Sequence, residues 1–213
     1  MRQDARRNSE KLAAAALEVF AEQGLDAPLG EIAARAGVRP GTIYNRFGGR
    51  SALIDSVMPS ILAERIQGFV RDAEATDDPW EAFAGYVTSV CAMQATDSAL
   101  NDAVSRRITD AEQLTAICDA QLEWIRPLVE RARQAGVLRP DFATEDLSFL
   151  FWSTANVVRA TARTAPDAWR RSLALTLDGL RTGPPRPLPV GPLTPAQVHE
   201  SMLSLSERHK SGS

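Results

Sequence analysis

Residues 28–50, PLGEIAARAGVRPGTIYNRFGGR, restrict the fold of this chain more than any other stretch. Leu29, Ile32, Ala33 and Ala36 share one face of a two-turn helix. Gly37 follows, a residue able to close a helix at positive φ, and Val38 turns back toward the core. Pro40 presets φ for the first turn of a second helix over about 40–47, in which Ile43 and Phe47 face inward at i and i+4. Arg39, Thr42, Asn45 and Arg46 occupy its other face. Two short helices around a glycine turn, the second polar and basic outside, form a helix-turn-helix, and such a unit binds duplex DNA.

The charge distribution agrees. The formal net charge is −3, which argues against a general polyanion binder. Residues 1–51 nevertheless hold eight Arg and Lys against six Asp and Glu, a balance of +2, leaving −5 for the remainder. DNA binding confined to the front of the chain fits that asymmetry.

With 213 residues, 44% of them hydrophobic, the chain can bury one sizeable core and a smaller satellite. No apolar run reaches the roughly 18 residues needed to span a bilayer, and the N-terminus has no signal-peptide pattern, so a cytoplasmic protein without a membrane partner is expected. Cys91 and Cys118 fall in helical stretches outside any C-x-x-C spacing and read as buried free thiols, with a redox pair the rival reading. The two histidines, His199 and His209, lie in the C-terminal tail. A His-based nucleophilic or zinc centre in the core is thereby disfavoured, and no metal site or cofactor is expected.

The periodicity predicts an all-α chain. Residues 1–8 read as a loose arm, with Arg2, Arg6 and Arg7 near phosphate or a minor groove as the functional alternative. A first helix spans about 8–23, and Gly24 ends it. A fourth helix opens near Ser51 and should be kinked or divided at Pro59. Asp78-Pro79 starts the next, Asp97 caps a short one, and 109–135 reads as one helix bent at Pro127. Helices at about 144–163 and 167–180 follow. Residues 183–213 form a proline-rich connector, a short helix from about 195 to 207 and a disordered tail.

At Leu12–Val57 the chain resembles the DNA-binding domain of the TetR family of transcriptional regulators. The matching residues are Phe20 to Gly24, Glu31-Ile32-Ala33, Ala36-Gly37-Val38, Thr42-Ile43-Tyr44, Phe47, Arg50 and Leu53. Two positions depart from it: Pro28 stands where a capping Thr is frequent, leaving Asp26 or the backbone to serve that helix start, and Arg50 stands where Lys is common. The resemblance implies a three-helix reader over residues 1–55 and a larger helical ligand-sensing and dimerisation domain over 56–182. It implies phosphate contacts from Tyr44 and Arg50. It also implies a homodimer joined through the helices at 144–163 and 167–180, for which periodicity alone allows intramolecular packing instead.

From the residues themselves, Arg39 suits bidentate contact with guanine and Asn45 with adenine. Thr42 and Arg46 add phosphate candidates, while Pro40 and Gly41 allow close approach and contact with a thymine methyl. A single such reader touches few bases, so a dimer on a palindromic operator is required. The resemblance implies a small-molecule effector, with Trp80, Phe83, Tyr86, Met93, Trp124, Trp152, Asn156 and Arg159 as candidate pocket residues. An aromatic stripe at helical spacing is equally the mark of plain core, and Asn156 and Arg159 equally suit a dimer rim. The expected function is a transcriptional repressor released by its effector. Its rivals are a constitutive DNA-binding factor or activator and, further off, a helical-bundle enzyme.

Overall fold

The computed structural model describes residues 2–182; the proline-rich connector, the helix expected at 195–207, the tail and both histidines lie outside the described residues. Among the described residues nine α-helices follow one another: α1 (Arg2–Gln23), α2 (Leu29–Ala36), α3 (Gly41–Phe47), α4 (Arg50–Glu74), α5 (Pro79–Thr96), α6 (Ser98–Ser105), α7 (Glu112–Gln134), α8 (Leu147–Thr161) and α9 (Ala168–Leu180). A short 3-10 turn, Thr144–Asp146, precedes α8. Among the described residues the only β pairing is one isolated bridge between Leu138 and Arg181.

Sequence signals set the helix ends. α2 closes at Gly37, φ +66°, where the Gly37 N–H reaches Ala34 O at 3.1 Å and the Val38 N–H reaches Ala33 O at 2.9 Å. That double closure needs a left-handed residue. Asp78 caps α5 by accepting the N–H groups of Trp80 and Glu81, and Asp97 caps α6 by accepting that of Leu100, all at 2.9 Å. One expectation is corrected: α1 begins at Arg2, so residues 2–8 continue the helix instead of forming a loose arm. Of the two outcomes expected at Pro59, a division of α4 does not occur, and α7 holds Pro127 inside one helix. Each proline removes one backbone bond, and the turns on both sides are long enough to keep the ladder going.

Packing gathers the described residues into two units, 2–68 with 96–124, and 69–95 with 125–182; the divisions fall inside α4 and α7 and at the end of α5. In the first unit α1 packs on α2 and α6, around fully buried Leu12, Phe20, Leu25, Ile32, Ile43, Leu53 and Ile54. In the second, Trp80, Phe83, Tyr86 and Val90 of α5 share a core with Phe142, Leu147, Phe151 and Trp169. Phe83 meets Phe142 edge-on at 5.6 Å, and the Arg181 guanidinium lies 5.0 Å over the Trp80 ring. α8 packs on α9.

Candidate nucleic-acid interface

α3 is seven residues long, too short to persist alone, and it is held by what it buries. Ile43 is fully buried and Phe47 half-buried, while Arg39, Pro40, Gly41, Tyr44, Asn45 and Arg46 are exposed and Thr42 is half-buried. Tyr44 leaves 61% of its surface open, an unusual position for a large aromatic residue. Among the described residues no intramolecular hydrogen bond or ion pair engages the side chains of Arg39, Tyr44, Asn45 or Arg46. Tyr44, Asn45 and Arg46 of α3, with Arg39 in the turn just before it, thus leave two cations, an amide and a phenol exposed.

The other arginines of this region are committed inside the chain. Arg35 on α2 pairs in a fork with Glu22 of α1 at 2.7 and 2.9 Å. That hydrogen bond holds the Glu22 carboxyl below its ordinary range and raises the guanidinium. Arg50, expected on phosphate, turns one nitrogen inward, donating to Leu25 O at 3.1 Å and to Ala27 O. Pro28 makes no side-chain cap for α2, and its carbonyl accepts the Glu31 N–H at 3.0 Å, so the backbone serves that end. Asp26 pairs instead with Arg106, the residue after α6, at 2.7 Å.

A family model described as bacterial regulatory proteins, tetR family, matches residues 12–57, and one described as transcriptional regulator SbtR-like, C-terminal domain, matches residues 78–182. The crystal structure of a TetR transcription regulatory protein from Mycobacterium vanbaalenii is 30% identical, covering 85% of this chain and 99% of that one, with a TM-score of 0.50. The chain belongs to the TetR family. DNA-binding transcriptional regulation is the function of that family. The fatty acid degradation regulator FadR from Bacillus halodurans shares the fold at 20% identity, covering 81% of this chain and all of that one, with a TM-score of 0.59. FadR from Bacillus subtilis, solved in complex with stearoyl-CoA, does so at 19% identity, covering 79% and 97%, with a TM-score of 0.59. No curated protein sequence matches the chain.

The candidate effector residues fall in both units. Trp80, Phe83, Tyr86 and Met93 are buried in the second unit, and Trp124, in the first, is half-buried. Trp152 and Asn156 are exposed on the outer face of α8, and Arg159 is half-buried. A cavity of about 360 Å³ lies elsewhere in the second unit, between the 139–146 segment, α8 and the end of α9, with Arg139, Asp141, Phe142, Asp146, Phe149 and Leu180 among its walls. None of the expected residues lines it. Helical spacing identifies a buried face, but whether a neighbouring side chain fills the space beside it is a tertiary matter.

Other polar groups of the second unit serve its core. Gln94 Nε2 donates to Phe151 O at 3.0 Å, and Cys91 Sγ lies 3.4 Å from Thr154 Oγ1. Burial pushes the Cys91 thiol up to about 12, outweighing the Thr154 hydrogen bond, so it is inert at neutral pH. Among the described residues no cluster of His, Cys, Asp or Glu is arranged to hold a metal ion, and no helix is long and apolar enough to cross a membrane.

Sequence reasoning missed Asp102 of α6 and Arg106 just past the end of that helix, four residues apart. The Asp102 carboxylate accepts the Leu25 N–H at 2.9 Å and pairs with Arg106 at 3.0 Å. Their spacing signals a helix-surface ion pair, and nothing in it signals a contact across 77 residues of chain.

Proposed function

We propose that the protein is a homodimeric repressor that binds a palindromic operator through α3 and leaves it when a small molecule binds. The reader comprises residues 1–55 and the sensing and dimerising body 56–182. The observation that carries the reading is the exposed surface of α3 and the turn before it: among the described residues, Arg39, Tyr44, Asn45 and Arg46 are without partners, beside a helix anchored from behind by Ile43. Arg39 and Asn45 face base edges in the major groove, Thr42, Tyr44 and Arg46 hold phosphates, and Pro40 and Gly41 admit close approach.

The second copy docks on α8 and α9. Phe149, Trp152, Ser153 and Asn156 are all exposed and recur at i, i+3, i+4 and i+7, while Leu175 is exposed on α9. Their spacing gives one continuous apolar-centred face, the pattern of a helix awaiting a partner. A small effector is supported by the stearoyl-CoA held in the Bacillus subtilis relative and by the 360 Å³ cavity in this chain. Binding there acts by favouring a conformer whose paired α3 helices no longer match successive major grooves. The protein works in the cytoplasm and catalyses no reaction.

The packed surroundings of Phe83 and Tyr86 favour a second reading, a constitutive DNA-binding factor without effector. Titrating a fluorescent operator duplex with the protein, then adding a metabolite panel that includes long-chain acyl-CoA thioesters, separates the two. Release by one compound supports the first reading, and binding indifferent to every compound supports the second.

A further inference from the structure

The five-residue corner 24–28 joins α1 to α2 and so sets how the reader leaves its supporting helix. Its own closure is one turn bond, from the Ala27 N–H to Gly24 O at 3.2 Å. Gly24 is left-handed at φ +86°, and Pro28 offers no side-chain cap. Other backbone groups of the corner are held from two other helices. Leu25 donates its N–H to Asp102 of α6 at 2.9 Å, and its carbonyl accepts from Arg50 of α4 at 3.1 Å. The same Arg50 nitrogen takes the Ala27 carbonyl. Arg106, just past the end of α6, adds the Asp26 carboxylate at 2.7 Å. The fit is close: a Cβ at position 24 would lie 2.7 Å from Asp102 Oδ2.

We propose that Asp102 and Arg50 are positioning residues of the DNA reader, one holding the backbone N–H of Leu25 and the other its carbonyl, without themselves contacting DNA. The proposal rests on α3 being the DNA-reading surface. Asp102 is 14% exposed at its side chain, so its removal leaves the Leu25 N–H short of a partner that water replaces poorly. The corner then samples more directions, and α2 and α3 must be re-ordered each time DNA binds. Arg50 departs here from the phosphate role that resemblance implied, and the two roles differ in salt dependence. Loss of a phosphate contact lowers the slope of log affinity against log salt by about one, whereas loss of positioning lowers affinity at unchanged slope.

The test uses the full chain and duplexes that the unaltered protein selects from a randomised pool. Anisotropy titrations at several salt concentrations compare Asp102→Ala, Asp102→Asn and Arg50→Ala, each at a temperature where circular dichroism shows it folded. Asp102→Ala and Arg50→Ala should bind about fivefold or more weakly, in the range of ordinary coupling between sites, with the salt slope unchanged. Asp102→Asn keeps an acceptor for Leu25 and should fall between them and the unaltered protein. A role confined to stability would lower the melting temperature and leave the affinity of the folded protein alone. Unchanged affinity in the folded Asp102 variants overturns the proposal, as does a slope reduced by one in Arg50→Ala. Should Asp102→Ala fail to fold, Asp102→Asn decides the first point. If the unaltered protein selects no duplex, the DNA reading falls first and the proposal with it.

Discussion

α3 and α8 both present aromatic residues to solvent, and the company each keeps separates their partners. Tyr44 of α3 is exposed along with Asn45 and Arg46 on the same helix and Arg39 in the turn before it, donors suited to phosphate and base edges. On α8, Phe149 meets Trp152 edge-on at 5.7 Å, with the uncharged Ser153 and Asn156 as neighbours on the same face. A cation-rich exposed aromatic suits a nucleic acid, and a charge-free aromatic pair suits a protein surface of the same kind. Exposure alone would have grouped the two helices together.

The largest effect should come from breaking the α8 face. Phe149→Glu places a charge where 65% of the ring is open, so the melting temperature of the isolated chain should move little. Sedimentation should show the dimer lost at micromolar concentration, with operator affinity reduced on the order of a hundredfold because two linked readers bind far more tightly than one. A dimer that persists would assign the α8 aromatics to some other partner. On α3, Arg39→Ala should reduce preference at one base position by about 1–3 kcal/mol, read as equalised affinities for duplexes substituted there. A uniform loss across all sequences would make Arg39 a phosphate contact.

Two smaller effects sharpen the contrast between outward faces and sealed interiors. Cys91 and Cys118 are both buried, and burial is the main cause raising both thiols, Cys91 to about 12. At pH 8 a disulfide reagent should therefore modify neither cysteine until denaturant is added, and rapid modification would show a more open core than the packing indicates. The Glu22–Arg35 pair gives the smallest signal. Glu22 has a folded pKa below its ordinary 4.5, principally from the Arg35 hydrogen bond, so its contribution to stability is present above about 4.5 and is lost as pH falls through the depressed value. Glu22→Gln should melt slightly lower than the unaltered protein at pH 7, and the difference should vanish in acid.

Local signals were legible in the sequence, and distant ones were not. Gly37, Asp97, Asp78-Pro79 and Ile43 act within a few residues of themselves, and their roles as stop, cap, start and anchor follow from spacing alone. The helical class, the family and the reader's outward face rest on such signals. Arg50 was legible as a cation at a helix start, but its turn inward depends on carbonyls 23 and 25 residues earlier. Asp102 lies farther still from Leu25 in the chain. The cavity beside Phe149 depends on how the 139–146 segment, α8 and α9 leave space between them, a matter of shape that hydrophobic periodicity does not encode.

The central claim is that the α3 surface reads duplex DNA twice per dimer. Selection of bound duplexes from a randomised pool, followed by sequencing, tests it most directly. The account predicts an inverted repeat whose half-site centres are separated by one or more helical turns, about 10 base pairs or a multiple. A pool that stays unenriched over competitor DNA at low ionic strength would contradict it.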